Sequence, residues 1–227
     1  SEKLRALGGP APLAENIGDA GNTGFPAFAV SQNGVLMYRS GTGFPKRQLS
    51  WLDRTGKQVR GIGEPQLLAT TSLSPDGKRA AIGAASAGTT LAADIWLRDV
   101  ERGTATKFTF LPGSSHSPTW SPDGTSIVFV NSPTPGLYDI YRKRADSADK
   151  EELLLHGGVN ATPYDISPDG KMLLYGETEP NTKDDLWLLP LTGSNTDRKP
   201  VKYLDSPGND GVAQFSPDGR WVAYGSD

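Results

Sequence analysis

The sequence predicts an all-β chain of repeated four-stranded antiparallel sheets, and three observations carry that expectation. A Ser-Pro-Asp-Gly turn stands at Ser74–Gly77, Ser121–Gly124, Ser167–Gly170 and Ser216–Gly219, with a degenerate copy at Ser31-Gln32-Asn33-Gly34. From the first copy to the last, the serines lie 43, 47, 46 and 49 residues apart. Apolar runs on either side make each turn a hairpin signal, and a period of about 40 to 50 residues with several strands per unit marks a β-propeller. A second landmark keeps step. Asp94-Ile95-Trp96, Asp139-Ile140-Tyr141 and Asp185-Leu186-Trp187 each open a further strand 16 to 18 residues after a turn aspartate. Finally, the residues after each turn glycine are apolar in succession, as in Ile127-Val128-Phe129 and Leu173-Leu174-Tyr175. A strand with one wet face alternates, so these central strands are expected to be buried on both faces, as between stacked blades.

In chain order, residues 1–20 hold a strand at Ala11–Glu15 after the Gly8-Gly9-Pro10 turn, read as the outer strand of a preceding or closing blade. Blades follow at 25–62, 67–110, 116–156 and 161–204, with a partial blade at 212–227. The first has strands near Pro26–Val30, Val35–Arg39, Gln48–Asp53 and Gln58–Ile62. In the second, Arg79–Ile82, Asp94–Val100 and Thr106–Phe110 follow the inner strand. Between Tyr141 and His156 the expectation is a long charged hairpin tip rather than a helix. The outermost strands carry charges (Lys107, Glu151, Glu152, Arg198 and Lys199) that discourage pairing with a foreign strand. Within each turn, serine bonds nearby backbone, proline presets φ, aspartate tolerates the bridge region and glycine supplies a free φ.

Composition narrows the function. With 23 Lys+Arg against 26 Asp+Glu in 227 residues, the balance is mildly acidic, unlike the basic surface of a nucleic-acid binder. There is no cysteine, so neither disulfides nor cysteine-ligated zinc enter. No apolar run is long enough to cross a bilayer as a helix. Ser1–Arg5 lacks the apolar core of a signal peptide, which leaves a cytosolic protein or targeting sequence further upstream.

Trp120-Ser121-Pro122-Asp123-Gly124, followed by Ile127-Val128-Phe129 and Asp139-Ile140-Tyr141, resembles the TolB-like, WD-repeat-like propeller family over nearly all of residues 25–227. Trp51–Lys57, Leu186–Leu191 and Phe215–Tyr224 resemble, more narrowly, the C-terminal propeller of bacterial transmembrane Ser/Thr protein kinases. That resemblance implies a sensing or partner-binding module outside the membrane. It carries no kinase chemistry here, because HRD and DFG triplets are absent. Four repeats and a two-stranded remnant read as a piece of a longer propeller. Such an arc leaves terminal faces such as Trp221 uncovered, a patch expected to find a partner or to self-associate.

Catalytic signals are near-misses. Gly41-Thr42-Gly43 lacks the helix that a phosphate loop feeds, and Ala84–Gly88 lacks the strand-to-helix turn of a nucleophile elbow. His116 and His156 are placed in loops at different blade junctions, apart from each other. Asp76, Asp123, Asp169 and Asp218 stand singly in their turns, whereas calcium gathers several oxygens. Asp94, Asp139 and Asp185 are expected to bond backbone amides, and Trp96, Tyr141 and Trp187 to pack between blades. No metal or cofactor is expected.

Recognition is expected at the end with long, variable loops: 83–93, 131–137 and 176–183 in one set, 111–115, 157–160 and 205–211 in the other. The candidate partner-binding residues are His116, Asn160, Tyr164, Asn209 and Asp210. The function expected is a non-catalytic, extracytoplasmic binding or sensing propeller of a receptor-type kinase, contacting a protein, peptide or cell-envelope component. The alternatives are a TolB-like periplasmic adaptor and the gating propeller of a prolyl-oligopeptidase-like hydrolase.

Overall fold

Each Ser-Pro-Asp-Gly turn closes on its own side chains. The serine hydroxyl donates to the turn aspartate at 2.6–2.7 Å. It also accepts the amide five residues on at 2.9–3.0 Å, while the aspartate accepts the amide two residues on at 3.0–3.1 Å. The glycine amide returns to the serine carbonyl at 2.7–2.9 Å, with the glycine φ between 68° and 71°. That φ lies in the left-handed region open to glycine. The serine–aspartate bond, repeated four times, goes beyond the turn chemistry expected from sequence.

In a computed structural model, residues 28–30, 36–38, 46–85, 93–157, 159–178, 184–193, 198–204, 206 and 208–227 are described. The chain divides into two compact units, 1–46 and 47–227. In the first, β1 (Phe28–Val30) pairs antiparallel with β2 (Leu36–Tyr38). The expected strand at Ala11–Glu15 and the Gly41–Gly43 loop lie outside the described residues.

In the second unit, β3 (Arg47–Leu52) and β4 (Gln58–Gln66) form one hairpin. Three four-stranded sheets follow, each in chain order. They are β5 (Leu68–Leu73), β6 (Arg79–Ala85), β7 (Ala93–Asp99) and β8 (Ala105–Lys107); β9 (Ser114–Trp120), β10 (Ser126–Ser132), β11 (Asp139–Arg144) and β12 (Glu152–Leu155); and β13 (Val159–Ile166), β14 (Met172–Thr178), β15 (Asp184–Pro190) and β16 (Val201–Leu204). A last hairpin joins β17 (Asp210–Phe215) to β18 (Val222–Ser226). All described elements are strands, as the repeats predict. The charged tip between β11 and β12 is a turn and irregular chain. Phe108–Phe110, expected in strand, lies outside β8.

The core lies between sheets. Ala81, Ile95 and Phe108 of the second repeat pack with Trp120, Ile127 and Phe129 of the third. Val128, Val130 and Ile140 pack with Ile166, Leu173 and Tyr175 of the fourth. Ile82, Phe129 and Tyr175 are fully buried, and so are their neighbours Ala81, Val128 and Leu174 on the opposite faces. The two-faced burial expected of the central strands is therefore met at β6, β10 and β14. Trp96, Tyr141 and Trp187 join these inter-sheet clusters, in line with a packing role.

Asp94, Asp139 and Asp185 have partners that sequence reasoning missed. They take the side chains of Lys107 (2.8 Å), His156 (3.3 Å) and Lys202 (2.9 Å), on or beside the outermost strand of the same sheet. The outer charges likewise pair inward. Lys143 meets Glu151 at 3.0 Å, and Glu152 bridges Arg142 of its own sheet to Arg198 of the next at 2.7 and 2.8 Å. The two arginines hold the Glu152 carboxyl below its ordinary range, against the opposing effect of burial.

Candidate functional site

The inner strands β5, β9, β13 and β17 share a departure from regular pairing. Each carries a register shift against its neighbour, between 68 and 70 on β5, between 116 and 119 on β9, between 163 and 165 on β13 and between 211 and 214 on β17. Ser117 and Val212, both four residues before a turn serine, take positive φ of 52° and 50°. A β-bulge takes backbone groups off the ladder and re-aims side chains. A non-glycine residue in the left-handed region costs roughly 1–2 kcal/mol, so the surroundings hold it there.

These strands line a groove of about 850 Å³. Thr70, Ser72, Ser117, Thr119 and Thr162 line it together with the apolar residues Trp120, Ile166, Val212 and Phe215. The turn prolines Pro75, Pro122, Pro168 and Pro217 border it. Inter-sheet bonds fix its walls. The Ser117 amide donates to Thr70 Oγ1 at 3.0 Å, Trp120 Nε1 to the Ser72 carbonyl at 3.1 Å, and the Phe215 amide to Asp165 at 2.8 Å. Burial raises the Asp165 carboxyl above its ordinary range, although the Phe215 and Ile166 amides work against it. Asp165 thus gives the groove a half-buried acidic group.

Of the residues singled out from sequence, Tyr164 lines this groove. Its ring lies against two glycines. A Cβ at Gly176 would come within 2.7 Å of the Tyr164 hydroxyl, and one at Gly211 within 3.1 Å. Burial raises the Tyr164 hydroxyl pKa. His116 sits within β9 rather than in a loop, edge-on to Tyr138 at 5.9 Å, with Nδ1 3.1 Å from Ser117 Oγ. Burial lowers its pKa, so the ring is neutral at physiological pH. Asn160 is exposed, with φ of 59° and its amide 3.5 Å from Thr178. Asn209 donates twice to Asp227 at 2.7 Å. Asp210 is fully buried at the start of β17, and neither carboxylate oxygen has a hydrogen-bond partner among the described residues. Tyr164 thus lies beside Gly211, next in the chain to Asp210.

The groove residues Thr70, Ser72, Trp120, Asp165 and Phe215 are not among the binding residues expected from sequence. The signal was a recurring one, since each lies within five residues of a turn serine on an inner strand. Sequence alone does not show which face of a bulged strand turns toward the groove. Among the described residues no group of three or more His, Asp or Glu is arranged to hold a metal ion. Residues 86–88 of the nucleophile-elbow near-miss lie outside the described residues, while Ala84 and Ala85 belong to β6.

Comparison with known proteins agrees with this architecture. The TolB from Helicobacter pylori, a Tol-Pal system protein, is 29% identical over 154 residues, covering 68% of this chain and 36% of the relative. The chain thus spans about a third of that relative's length. The uncharacterised peptidase YuxL of Bacillus subtilis is 30% identical over 152 residues, covering 66% of this chain and 20% of YuxL. The structure of a putative TolB from Agrobacterium tumefaciens superposes with a TM-score of 0.66 at 25% identity, over 88% of this chain and 69% of that one. The family model described as TolB beta propeller domain matches residues 54–227. On that match, which takes in every complete sheet of the repeat, the chain belongs to the TolB β-propeller family.

Proposed function

We propose that this chain is a non-catalytic binding module whose groove along β5, β9, β13 and β17 holds an extended segment of a protein partner. The carrying observation is the groove itself. Bulged backbone and a line of hydroxyls suit the amides of an extended chain, while Trp120, Val212 and Phe215 suit its apolar side chains. The Asp165 carboxylate favours a segment bearing a cationic residue. This site differs from the variable-loop end expected from sequence, and it includes Tyr164 from the original set. We place the module outside the cytoplasm, as an adaptor contacting a component of the cell envelope. The Tol-Pal system relative favours that reading over the receptor-kinase one. YuxL, named as a peptidase, supports the second reading, a propeller serving a hydrolase domain.

The test is to pan a library of random decapeptides on the intact chain. Enriched peptides are expected to bind with micromolar Kd and to weaken at least tenfold on Asp165→Asn or Val212→Glu. Val212 is 84% exposed, so its replacement leaves the core intact. Peptides that bind wild type and both variants equally would place recognition elsewhere. The non-catalytic part is tested with ester and peptide substrates. Turnover that disappears on His116→Ala would make the neutral His116, beside the Ser117 hydroxyl, a base and overturn it.

A further inference from the structure

Counting from each turn serine sorts the lining of the groove into rows. One residue before the serine stand Leu73, Trp120, Ile166 and Phe215, and one residue after it Pro75, Pro122, Pro168 and Pro217. Both rows keep one apolar character in every repeat, so they hold a segment without telling its polar residues apart. Two residues before the serine the chemistry changes from strand to strand, through Ser72, Thr119, Asp165 and Gln214. A further row, four residues before the serine, also varies through Thr70, Ser117, Pro163 and Val212. It carries no charge, and its hydroxyls serve the scaffold. Thr70 Oγ1 accepts the Ser117 amide at 3.0 Å, and Ser117 Oγ lies 3.1 Å from His116 Nδ1.

The rows are stitched together across the strands. The Ser72 carbonyl accepts Trp120 Nε1 at 3.1 Å, and the Asp165 carboxylate accepts the Phe215 amide at 2.8 Å. In both bonds the residue two before one serine meets the residue one before the next. Gln214, which precedes Phe215 in the chain, is thereby brought beside Asp165. Among the described residues lining the groove, Asp165 alone carries a formal charge. Its other close partner is the Ile166 amide at 2.9 Å. Both partners are neutral, so the half-buried charge gains most from a cation that a ligand brings.

We propose that the position two residues before each turn serine determines which protein segment the groove accepts. Asp165 selects a lysine or arginine, while Ser72 and Thr119 on one side and Gln214 on the other meet uncharged polar residues. The inference rests on the groove being the binding site. Within it, the apolar rows supply affinity common to many segments, and the placement of charge along the varying row separates one partner from another.

The probes are the tightest decapeptide enriched on the intact chain and a copy with alanine in place of its basic residue. Wild type is expected to bind the first about tenfold more tightly than the second. Gln214→Lys sets an ammonium beside Asp165 and should erase that preference. Ser72→Asp adds a carboxylate on β5 and should enrich peptides with a second basic residue, which wild type does not favour. Gln214 is exposed, and Ser72 ties β5 to β9 through its backbone, so both variants are expected to keep the wild-type urea midpoint. A tenfold preference that survives Gln214→Lys, while Val212→Glu still weakens both peptides, would overturn the row and leave the groove as the site. Wild-type selections from Ser72→Asp would do the same. Peptides indifferent to Val212→Glu would remove the site and the row together.

Discussion

Tyr175 and Tyr224 occupy one position of the repeat, yet Tyr175 is fully buried and Tyr224 is 47% exposed. Tyr175 packs against the β9–β12 sheet, and burial drives its hydroxyl pKa up, with the nearby Glu177 adding to the effect. Truncation there opens a cavity among side chains that cannot collapse fully, whereas truncation of Tyr224 removes surface that water already reaches. Tyr175→Ala is expected to lower stability by about 3–5 kcal/mol. Tyr224→Ala should change it by less than about 1 kcal/mol. Urea unfolding followed by tryptophan fluorescence checks both, and equal losses would mean that Tyr224 is covered in solution. At this scale the sequence was legible where identity determines chemistry, as in the turn residues. It was less so for Asp94, Asp139 and Asp185, whose partners lie 13 to 17 residues further on. Those partners lie on or just beyond the outermost strand, and only the sheet register brings them alongside.

The turn is the element that repeats most faithfully, and its four aspartates share one electrostatic state. The serine hydroxyl first, and then the amide two residues on, hold Asp76, Asp123, Asp169 and Asp218 below the ordinary value of 3.8. A carboxyl with a depressed folded pKa contributes stability that is present above the unfolded value and lost as pH falls through the folded one. Stability is therefore expected to hold down to about pH 4 and to fall below pH 3.8 as the turns protonate together. With Asn in all four turns the chain should start less stable at neutral pH and show a shallower acid limb. A limb of unchanged depth in urea titrations at fixed pH would assign acid sensitivity to other carboxyls. The strands between turns were readable because consecutive apolar residues signal two covered faces. The bulges of β9 and β17 were not, since residues such as Ser117 and Val212 look like ordinary strand members until φ is known.

In residues 47–227 each sheet meets its neighbours in the array, and the ties between sheets are local. Arg60 reaches the Val100 carbonyl at 3.4 Å, Arg79 the Ala145 carbonyl at 3.3 Å and Arg142 the Leu191 carbonyl at 3.1 Å. Val100, Ala145 and Leu191 share one repeat position, six residues after the third-strand aspartate. Such an array has nearest-neighbour energetics, so its stability is a chain of separate junctions rather than one indivisible core. One such junction seats β17 and β18 against β14 and β15. Opening it costs the contacts of Ala213, Phe215 and Val222 with Leu174 and Leu186, and leaves the β9–β12 sheet untouched. Leu186→Ala should therefore speed amide exchange in β14 and β18 while leaving β10 unchanged, and an equal rise in all three would contradict the picture. Ties confined to adjacent sheets let a disturbance at one interface fade before it reaches the next but one, so each sheet's loops can vary without dragging the others along.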